Sequence, residues 1–540
     1  MKTTVVLGWL FLCAGCGNGG IQAPYVPEPA SGTVLDRCLV RVRMTQPWYN
    51  PGGDTPMATG TDTGIHADYR VNGGPQIPVD NYVFVSAQSA DYRKFAPFMF
   101  AATLVPGANH FEVGSCDSVD ACQFTPSELT VNLAPGSPDP VFGGGGQTVV
   151  PGYDAGFHLL PLADGRSLVS VEAIVSAAPQ IGIVRLRKDG VIDTLFGKRG
   201  FSPLGNFSGQ PFIAPVAGGG YLVVVRGMRE VYGKTWLARL DEHGNLDMKV
   251  GMNGLLPIAL PGVGPFIDVQ ALASDGAGNV VAAGIAADAA HGNGAAPVVF
   301  QMSPDGTVLA SSLLAKGDAA LRILGASVDA KGNAALLATD RVFKGSAKGG
   351  ADVAFGGAGV VMLPKPVFAA GVTLTATGVA VVQAEGSIAM TGVTVLDLSA
   401  SGAITPIAIP WASSVMASGA APKIAAAPDG TIYIAATIAH PANVALSFTD
   451  DMTPGADLAL ARLQNGSLDK TFGENGIAHA SLMLSWTPPA IDTLIDTPTE
   501  IVFGPDGAPY VVASSASAST QTMLTSTKRG PGFGIVRFLR

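Results

Sequence analysis

From residue 139 onward, short apolar runs alternate with turns that are rich in glycine, asparagine and aspartate. Typical turns are Asp164-Gly165, Gly278-Asn279 and Asp429-Gly430, each followed directly by an apolar run. Glycine and asparagine adopt the positive φ that a tight hairpin needs, so these turns predict pairs of antiparallel strands. Runs of this length between turn signals are typical of strands. The pattern therefore predicts an all-β chain.

A phrase of the form Asp-x-x-Phe-Gly recurs through the same region. Its aspartates are Asp139, Asp193, Asp247, Asp352 and Asp469, and its phenylalanines are Phe142, Phe196, Phe355 and Phe472. A repeated spacing predicts one supersecondary unit that buries its apolar face only against neighbouring copies. We interpret these residues as repeat-structural, because an aspartate at such a turn accepts hydrogen bonds from its own backbone. A ring of carboxylates around a channel is the alternative.

An apolar strand with a central arginine precedes several copies of the phrase, as at Arg185, Arg239 and Arg462. With the first turn it makes two hairpins, or four strands, per unit, which is one β-propeller blade. Seven first turns predict a seven-bladed β-propeller over residues 139–540. The last arginine strand, at 533–538, lacks its phrase, and the phrase at 139–143 stands at the other end of the domain. We expect residues 147–150 to complete the last blade, so that an N-terminal strand closes the circle.

The closest match to a known repeat is residues 460–476, LARLQNGSLDKTFGENG. Residues 183–200 and 237–254 follow the same form. This phrase resembles the bacterial delta-60 β-propeller repeat. The resemblance implies the propeller fold. That family shares no common enzymatic activity, so the resemblance adds no chemistry.

The N-terminus has the features of an export signal. Met1-Lys2 is followed by an apolar run to Leu12, which is too short to span a bilayer, so residues 1–15 are predicted to be a signal peptide. Ala14-Gly15 before Cys16 resembles the lipobox of bacterial lipoproteins, which implies lipidation at Cys16. An ordinary secretory signal is the alternative. Residues 16–33 are rich in glycine and proline and read as a flexible tether. A lipid-anchored place on the bacterial outer membrane or cell surface follows as the expectation.

Residues 34–134 carry short strands with frequent turns, as at 38–44 and 105–113. This pattern predicts a small β-sandwich, and it resembles bacterial immunoglobulin-like modules. In an oxidising compartment we expect a disulfide between Cys116 and Cys122, which leaves Cys38 as a buried thiol. Pairing of Cys38 with either of the others is the alternative.

Composition and motifs exclude several functions. Charged residues are 14% of the chain and the net charge is −9, which argues against a nucleic-acid partner. The seven histidines are spread singly, so no metal site is predicted, and no cofactor. A calcium site is a weak alternative at residues 241–247 or 449–451. No catalytic signature occurs, so no catalytic residue is predicted.

The leading hypothesis is a non-enzymatic cell-envelope lipoprotein that acts as a binding or scaffold module. Its contact surface would be the propeller loops, above all the long insertions 440–457 and 480–498. The partner would be an unknown protein or polysaccharide, besides the membrane that the lipid anchor enters. The alternative is a propeller enzyme of the quinone-dependent dehydrogenase or polysaccharide-degrading type, which a cluster of converging acidic residues, histidines and arginines would favour. A purely structural repeat in the cell envelope is a third possibility.

Overall fold

The computed structural model describes most of the chain after residue 24. The described residues are 25–35, 37–47, 66–79, 83–84, 95–116, 122–151, 153, 155–175, 178–205, 207–226, 235–263, 267–275, 277–288, 294–367, 370–385, 392–410, 421–439, 456–480, 482, 494–517 and 532–540. Every regular element within them is a β-strand. The predicted signal peptide, the lipidation site Cys16 and most of the predicted tether lie outside these residues.

The chain divides into two compact units. One comprises Met1–Leu35 with Val40–Val131, and the other comprises Asp36–Leu39 with Asn132–Arg540. The strands of the first unit are Tyr25–Glu28 (β1), Val34–Leu35 (β2), Leu39–Pro47 (β3), His66–Val71 (β4), Ile77–Pro78 (β5), Val83–Phe84 (β6), Phe95–Thr103 (β7), Gly107–Cys116 (β8) and Cys122–Val131 (β9). They form sheets in the orders β1-β3-β7-β6 and β2-β9-β8-β4-β5, with β2 parallel to β9.

One aromatic contact of Tyr69 joins the two sheets of the first unit, and a second lies within its own sheet. The ring centroid of Tyr69 on β4 lies 5.7 Å from that of Phe100 on β7 and 5.9 Å from that of Phe111 on β8. Cys116 and Cys122 are opposite each other on β8 and β9 and form a disulfide, as the sequence predicts. Cys38 is a free, buried thiol, so the alternative pairings of Cys38 are wrong.

The second unit begins with Gln147–Pro151 (β10), and its later strands form groups that we number sheets 1 to 7. Sheet 1 contains Ala155–Pro161 (β11), Ser167–Val175 (β12), Ala178–Leu186 (β13) and Phe201–Gly205 (β14); sheet 2 contains Ser208–Pro215 (β15), Tyr221–Arg226 (β16), Thr235–Leu240 (β17) and Leu255–Pro257 (β18); sheet 3 contains Ile267–Ser274 (β19), Val280–Asp288 (β20), Gly294–Met302 (β21) and Val308–Leu313 (β22). Neighbouring strands in each sheet follow one another along the chain and are antiparallel.

The remaining sheets follow the same plan. Sheet 4 contains Ile323–Val328 (β23), Asn333–Ala338 (β24), Arg341–Ser346 (β25), Gly350–Ala351 (β26) and Val360–Met362 (β27); sheet 5 contains Ala370–Leu374 (β28), Gly378–Glu385 (β29), Gly392–Ser399 (β30) and Ile404–Ile409 (β31); sheet 6 contains Lys423–Ala426 (β32), Ile432–Ala439 (β33), Ala456–Gln464 (β34), Ser467–Leu468 (β35) and Ile477–Ala480 (β36); sheet 7 contains Leu494–Phe503 (β37), Pro509–Ser517 (β38) and Gly532–Arg537 (β39). One parallel bridge, from Ala456 to Ile495, joins sheets 6 and 7.

Sheet 7 is completed from the start of the unit. β10 is antiparallel to β39, with Gln147 opposite Val536 and Pro151 opposite Gly532. The first strands of successive sheets also contact one another in sequence, and β11 contacts β37. The sheets therefore form a closed, β-propeller-like cycle, and the strand predicted to close it pairs as the sequence indicates.

The core of this unit lies between adjacent sheets. The second strands carry continuous buried runs, such as 222–225, 280–283 and 379–382, because both faces of each sheet are covered by its neighbours. Between sheets 7 and 1 the apolar cluster contains Phe142, Val169 and Ile535. Phe142, from the phrase that precedes sheet 1, thus packs in the apolar cluster beside sheet 7.

Candidate functional site

The recurring aspartates hold their own turns. In every copy the carboxylate Oδ1 accepts a hydrogen bond from the amide two residues later, at 3.0 to 3.2 Å. The aspartate amide in turn donates to the carbonyl of the arginine or lysine on the third strand of the sheet, at 2.8 to 2.9 Å. These are the contacts of a structural turn.

The same carboxylates pair with the basic residue of the third strand. Oδ2 of Asp193 lies 2.7 Å from Arg185, that of Asp469 lies 2.7 Å from Arg462, and that of Asp352 lies 2.9 Å from Lys344. The hydrogen bond from Lys344 lowers the pKa of Asp352. Each of the five aspartates is bonded to the third strand of a sheet, which for Asp139 is β39, and none of them lies on a first strand.

The phenylalanines of the phrase are buried beneath these pairs. Phe142, Phe196, Phe355 and Phe472 are at most 2% exposed. The guanidinium of Arg185 lies over the ring of Phe196, 4.7 Å from its centroid, and Arg462 lies 4.6 Å from that of Phe472. Both geometries are cation–π contacts. The phrase is therefore a packing device in each copy that carries the phenylalanine.

The glycine of the phrase is required by the backbone conformation, and its amide bonds to a neighbouring sheet. Gly197 has φ 53°, and an added Cβ would lie 2.4 Å from the carbonyl oxygen of Phe201, so only glycine fits. Its amide donates to the carbonyl of His243 in sheet 2, at 2.7 Å. Gly143 donates likewise to Asp189 in sheet 1, at 3.0 Å. These bonds link one sheet to the next.

Equivalent positions on the first strands can be identified from the hairpins that follow them. The residue that opens each hairpin donates its amide to the carbonyl that closes it, and these residues are Leu162, Val216, Asp275, Asp329, Thr375, Ala427 and Gly504. On each first strand, one residue lies four positions before this hairpin-opening residue, and we call the set of these seven residues the inner tier. Its members, from sheet 1 to sheet 7, are His158, Phe212, Ala271, Gly325, Gly371, Lys423 and Glu500.

The three ionisable members of the inner tier lie on consecutive sheets of the closed cycle: 6, 7 and 1. His158 Nδ1 lies 2.6 Å from Glu500 Oε1, and its Nε2 lies 3.1 Å from the carbonyl oxygen of Ile213. The other oxygen of Glu500 accepts the amide of Leu159 at 2.8 Å. Both ring nitrogens face acceptors, an arrangement that favours the doubly protonated imidazolium.

Burial and charge act in opposite directions on His158. Burial lowers its pKa, but the charge of Glu500 and the two hydrogen bonds raise it more, so the pKa of His158 is raised overall. At Lys423 burial lowers the pKa, and the negative charge of Glu500 opposes this only in part. Among the described residues, the Lys423 ammonium has Glu500 as an electrostatic partner and no hydrogen-bond acceptor.

Other polar groups of the first strands tie neighbouring sheets together. Ser327 Oγ accepts the amide of Leu374 at 3.2 Å, and Thr373 Oγ1 accepts the amide of Ala426 at 3.1 Å. Glu500 and Leu159 make the same kind of link across the point where the cycle closes. The Glu500 carboxylate therefore satisfies backbone that a first strand leaves unpaired.

The sequence interpretation missed this cluster. In the sequence, His158 is one of seven histidines that are spread singly, and no role was predicted for Lys423 or Glu500. The signal was available, since aligning the repeats on their first turns places all three in one column. Contact between the first and last repeats, 342 residues apart in the His158–Glu500 bond, follows only from closure.

A small polar pocket of about 130 Å³ lies between sheets 2 and 3. It is lined by Gln210, Phe212, Thr235, Asp268 and Gln270, among others. These residues lie where first and third strands begin, and we call this the loop end of the sheets. The hydroxyl of Thr235 donates to the carbonyl of Ile267.

The two long insertions lie mostly outside the described residues, but their anchors are described. Ala439 pairs with Ala456, and Ala480 pairs with Leu458 near the start of β34. Ile495 bridges to Ala456. The anchors of both insertions therefore lie side by side at the loop end.

The weak calcium candidates have different outcomes. Asp241 Oδ1 accepts the amides of His243 and Asn245, at 2.9 and 2.8 Å, and Oδ2 accepts the side-chain amide of Asn245 at 2.9 Å. Asp275 and Asp329 make the same turn with Asn279 and Asn333, so this spacing is a hairpin feature. Residues 449–451 lie outside the described residues.

One group of potential metal ligands occurs in the described part of the chain. Asp68, Cys116 and Cys122 lie close enough together to hold an ion, but both sulfurs are in the disulfide and are not thiolates. Within the described residues, no helix has the length and apolar character needed to cross a membrane.

Comparisons with known proteins give likeness of structure alone. No protein-family model matches the chain, and no curated protein sequence does. Among solved structures it is similar to a protein of unknown function from Dyadobacter fermentans, with a TM-score of 0.38, 12% identity, and 73% of this chain and 98% of that one covered. It is also similar to the Penicillium chrysogenum alpha-L-arabinanase complexed with arabinobiose, with a TM-score of 0.36, 10% identity, and 72% and 97% covered. Scores this low carry no argument about activity.

Proposed function

We propose that this chain is a lipid-anchored protein of the bacterial cell envelope, in which a small immunoglobulin-like sandwich precedes a seven-bladed β-propeller along the chain. It acts as a non-enzymatic binding or scaffold module, and its partner is an envelope protein or polysaccharide. The contact surface is the loop end, where the insertions 440–457 and 480–498 emerge. The delta-60 resemblance and the closed cycle of sheets support the propeller.

The observation that carries this proposal is the placement of the insertion anchors. Ala456 pairs with Ala439 of the strand before the first insertion, and it bridges to Ile495 of the strand after the second. The anchors of two long segments therefore lie together on a rigid scaffold, and binding loops are commonly carried by such a scaffold. The polar pocket lined by Gln210 and Gln270 opens at the same end.

Both oxygens of the Glu500 carboxylate already accept hydrogen bonds, which favours a binding function over a catalytic one. Glycoside hydrolysis needs a pair of carboxyl groups facing the substrate. In the inner tier Glu500 is the one carboxylate, and its two oxygens already accept from His158 and Leu159. A polysaccharide-degrading or quinone-dependent enzyme stays the alternative. Turnover of a polysaccharide by the purified protein, lost in Glu500→Gln, would establish it.

Capture from envelope preparations tests the binding function. The lipid-free body, residues 17–540, is immobilised beside a variant in which residues 441–455 and 483–493 are replaced by short Gly/Ser linkers. A matched control replaces residues 518–531 in the same way. We expect the body and the control to retain one envelope component that the insertion variant loses. Equal retention by all three would refute the insertions as the contact surface.

Metabolic labelling with a fatty-acid probe tests the anchor. Cys16→Ser should abolish the label, whereas Cys13→Ser should leave it, because Cys13 departs with the signal peptide. Label on Cys16→Ser would contradict lipidation at this residue.

A further inference from the structure

The residues of the inner tier differ in charge and in side-chain size around the cycle. Lys423, Glu500 and His158 occupy one arc, on sheets 6, 7 and 1, and Phe212 follows with its ring 5.7 Å from that of His158. The opposite arc, on sheets 3 to 5, carries the small residues Ala271, Gly325 and Gly371. Charge is therefore gathered on one side of the tier, and side-chain volume is missing from the other.

The charges within the tier do not cancel. Lys423 and the His158 imidazolium are positive, while Glu500 alone is negative. The oxygens of Glu500 are already bound by His158 and the Leu159 amide. The three donors of the Lys423 ammonium meet no hydrogen-bond acceptor among the described residues. A partly buried ammonium without an acceptor is costly, and an anion beside it removes that cost.

Within the small-residue arc, the space for a ligand lies beside Gly325. Gly325 has an ordinary strand conformation, and the nearest atom to an added Cβ is 3.9 Å away, on Val372. Ala271, Gly325 and Gly371 are all partly exposed, so solvent reaches this side of the tier, and Lys423 on the other side is partly exposed too. Two further acidic residues lie on first strands: Asp496 on β37, and Asp268, which lies three positions from Ala271 and lines the pocket at the loop end.

We propose that the inner tier is a small-molecule site in which the Lys423 ammonium binds a carboxylate and the ligand body fills the space beside Gly325. A single carboxylate matches the one uncompensated positive charge of the tier, and a carboxylate accepts the ammonium hydrogens directly. The ligand class is a small organic acid or an acidic sugar. This site goes beyond the proposed contact surface, because it uses none of the insertion residues.

Titration calorimetry with glucuronate, and with glucose as its neutral match, tests the site. We expect glucuronate to bind the lipid-free body and glucose not to bind. Lys423→Met should weaken glucuronate binding at least about tenfold, since it removes a charge-assisted contact but keeps the side-chain length. Lys331→Met is the matched control, because Lys331 is exposed on a hairpin turn, and it should bind as the parent does.

A second variant separates loss of the site from loss of folding. Gly325→Leu keeps Lys423 and fills the space, so it should also weaken glucuronate binding while its thermal unfolding stays cooperative. The insertion-replaced variant should bind glucuronate like the parent, so this proposal and the proposed function fail separately. Unchanged binding in Lys423→Met overturns the site. Inorganic phosphate that binds more tightly than glucuronate overturns the carboxylate assignment.

Discussion

Asp139 and Arg537 form an ion pair between the two ends of the second unit, with 2.5 Å between Asp139 Oδ2 and the guanidinium. The Asp139 amide also donates to the Arg537 carbonyl at 2.8 Å. Asp193 and Arg185 make the same two contacts within one repeat, eight residues apart. The Asp–Arg contact that occurs within a single repeat thus also occurs where the cycle closes. The last repeat therefore consists of residues from both ends of the second unit.

The closure pair should contribute measurably to stability. Asp139→Asn keeps the acceptor for the Val141 amide but leaves the mostly buried Arg537 with Asp506 alone. Removing one partner of a buried pair is costly, so we expect a loss of about 2 kcal/mol in the free energy of unfolding. Denaturant unfolding measures it.

Asp506→Asn is the matched control for the closure pair, because it removes the other carboxylate beside Arg537. The Asp506 side chain is 54% exposed, so its loss should cost less than about 1 kcal/mol. Equal losses in the two variants would contradict a special role for Asp139.

The phrase glycines should tolerate no side chain. Gly197→Ala places a methyl against the Phe201 carbonyl at φ 53°, whereas Gly218→Ala places one in open space at φ 86°. Both pay the left-handed backbone cost of roughly 1–2 kcal/mol, and only the first adds a clash. We expect Gly197→Ala to lose at least about 2 kcal/mol more than Gly218→Ala in denaturant unfolding. Similar losses would show that the turn relaxes around the methyl.

The fold and the inner tier differ in how far sequence predicts them. The turn glycines and the phrase Asp-x-x-Phe-Gly repeat because each copy must satisfy the same backbone, so their period is visible. The disulfide of Cys116 and Cys122 follows from proximity in the chain. The inner tier repeats no residue type, because His158, Lys423 and Glu500 differ, so only an alignment of the repeats shows that they share a position, and His158 meets Glu500 only through the closed cycle. Their contact is a property of the ring and not of the repeat.

Reduction of the disulfide should loosen the strands that it joins. Cys116 and Cys122 link β8 to β9 across a short loop, so their bond contributes about 2 kcal/mol in the loop-entropy account. We expect a phosphine reductant to speed hydrogen exchange of amides in β8 and β9. Cys116→Ser/Cys122→Ser should exchange as fast with or without reductant. Cys38→Ala should respond as the parent does, because Cys38 is a free thiol.

Stability should fall at alkaline pH through His158. Its folded pKa is raised, so its stabilising contribution is complete below about pH 6.5, the ordinary histidine pKa, and is lost as pH rises through the folded pKa. The lowered pKa of Lys423 acts oppositely, since its destabilising charge is lost as pH rises toward about 10.4. We therefore expect the difference in unfolding free energy between the parent and His158→Phe to shrink from pH 6 to pH 9.

Two controls assign that pH dependence to the His158–Glu500 pair. Glu500→Gln removes the charge that raises the pKa of His158, so it should flatten the profile as His158→Phe does. His110 also has a raised pKa, caused first by its hydrogen bond with Glu128, but its side chain is 46% exposed. Solvent screens such a pair, so His110→Gln should leave the profile unchanged. A profile that follows His110 would place the pH-sensitive contact in the first unit and remove it from the inner tier.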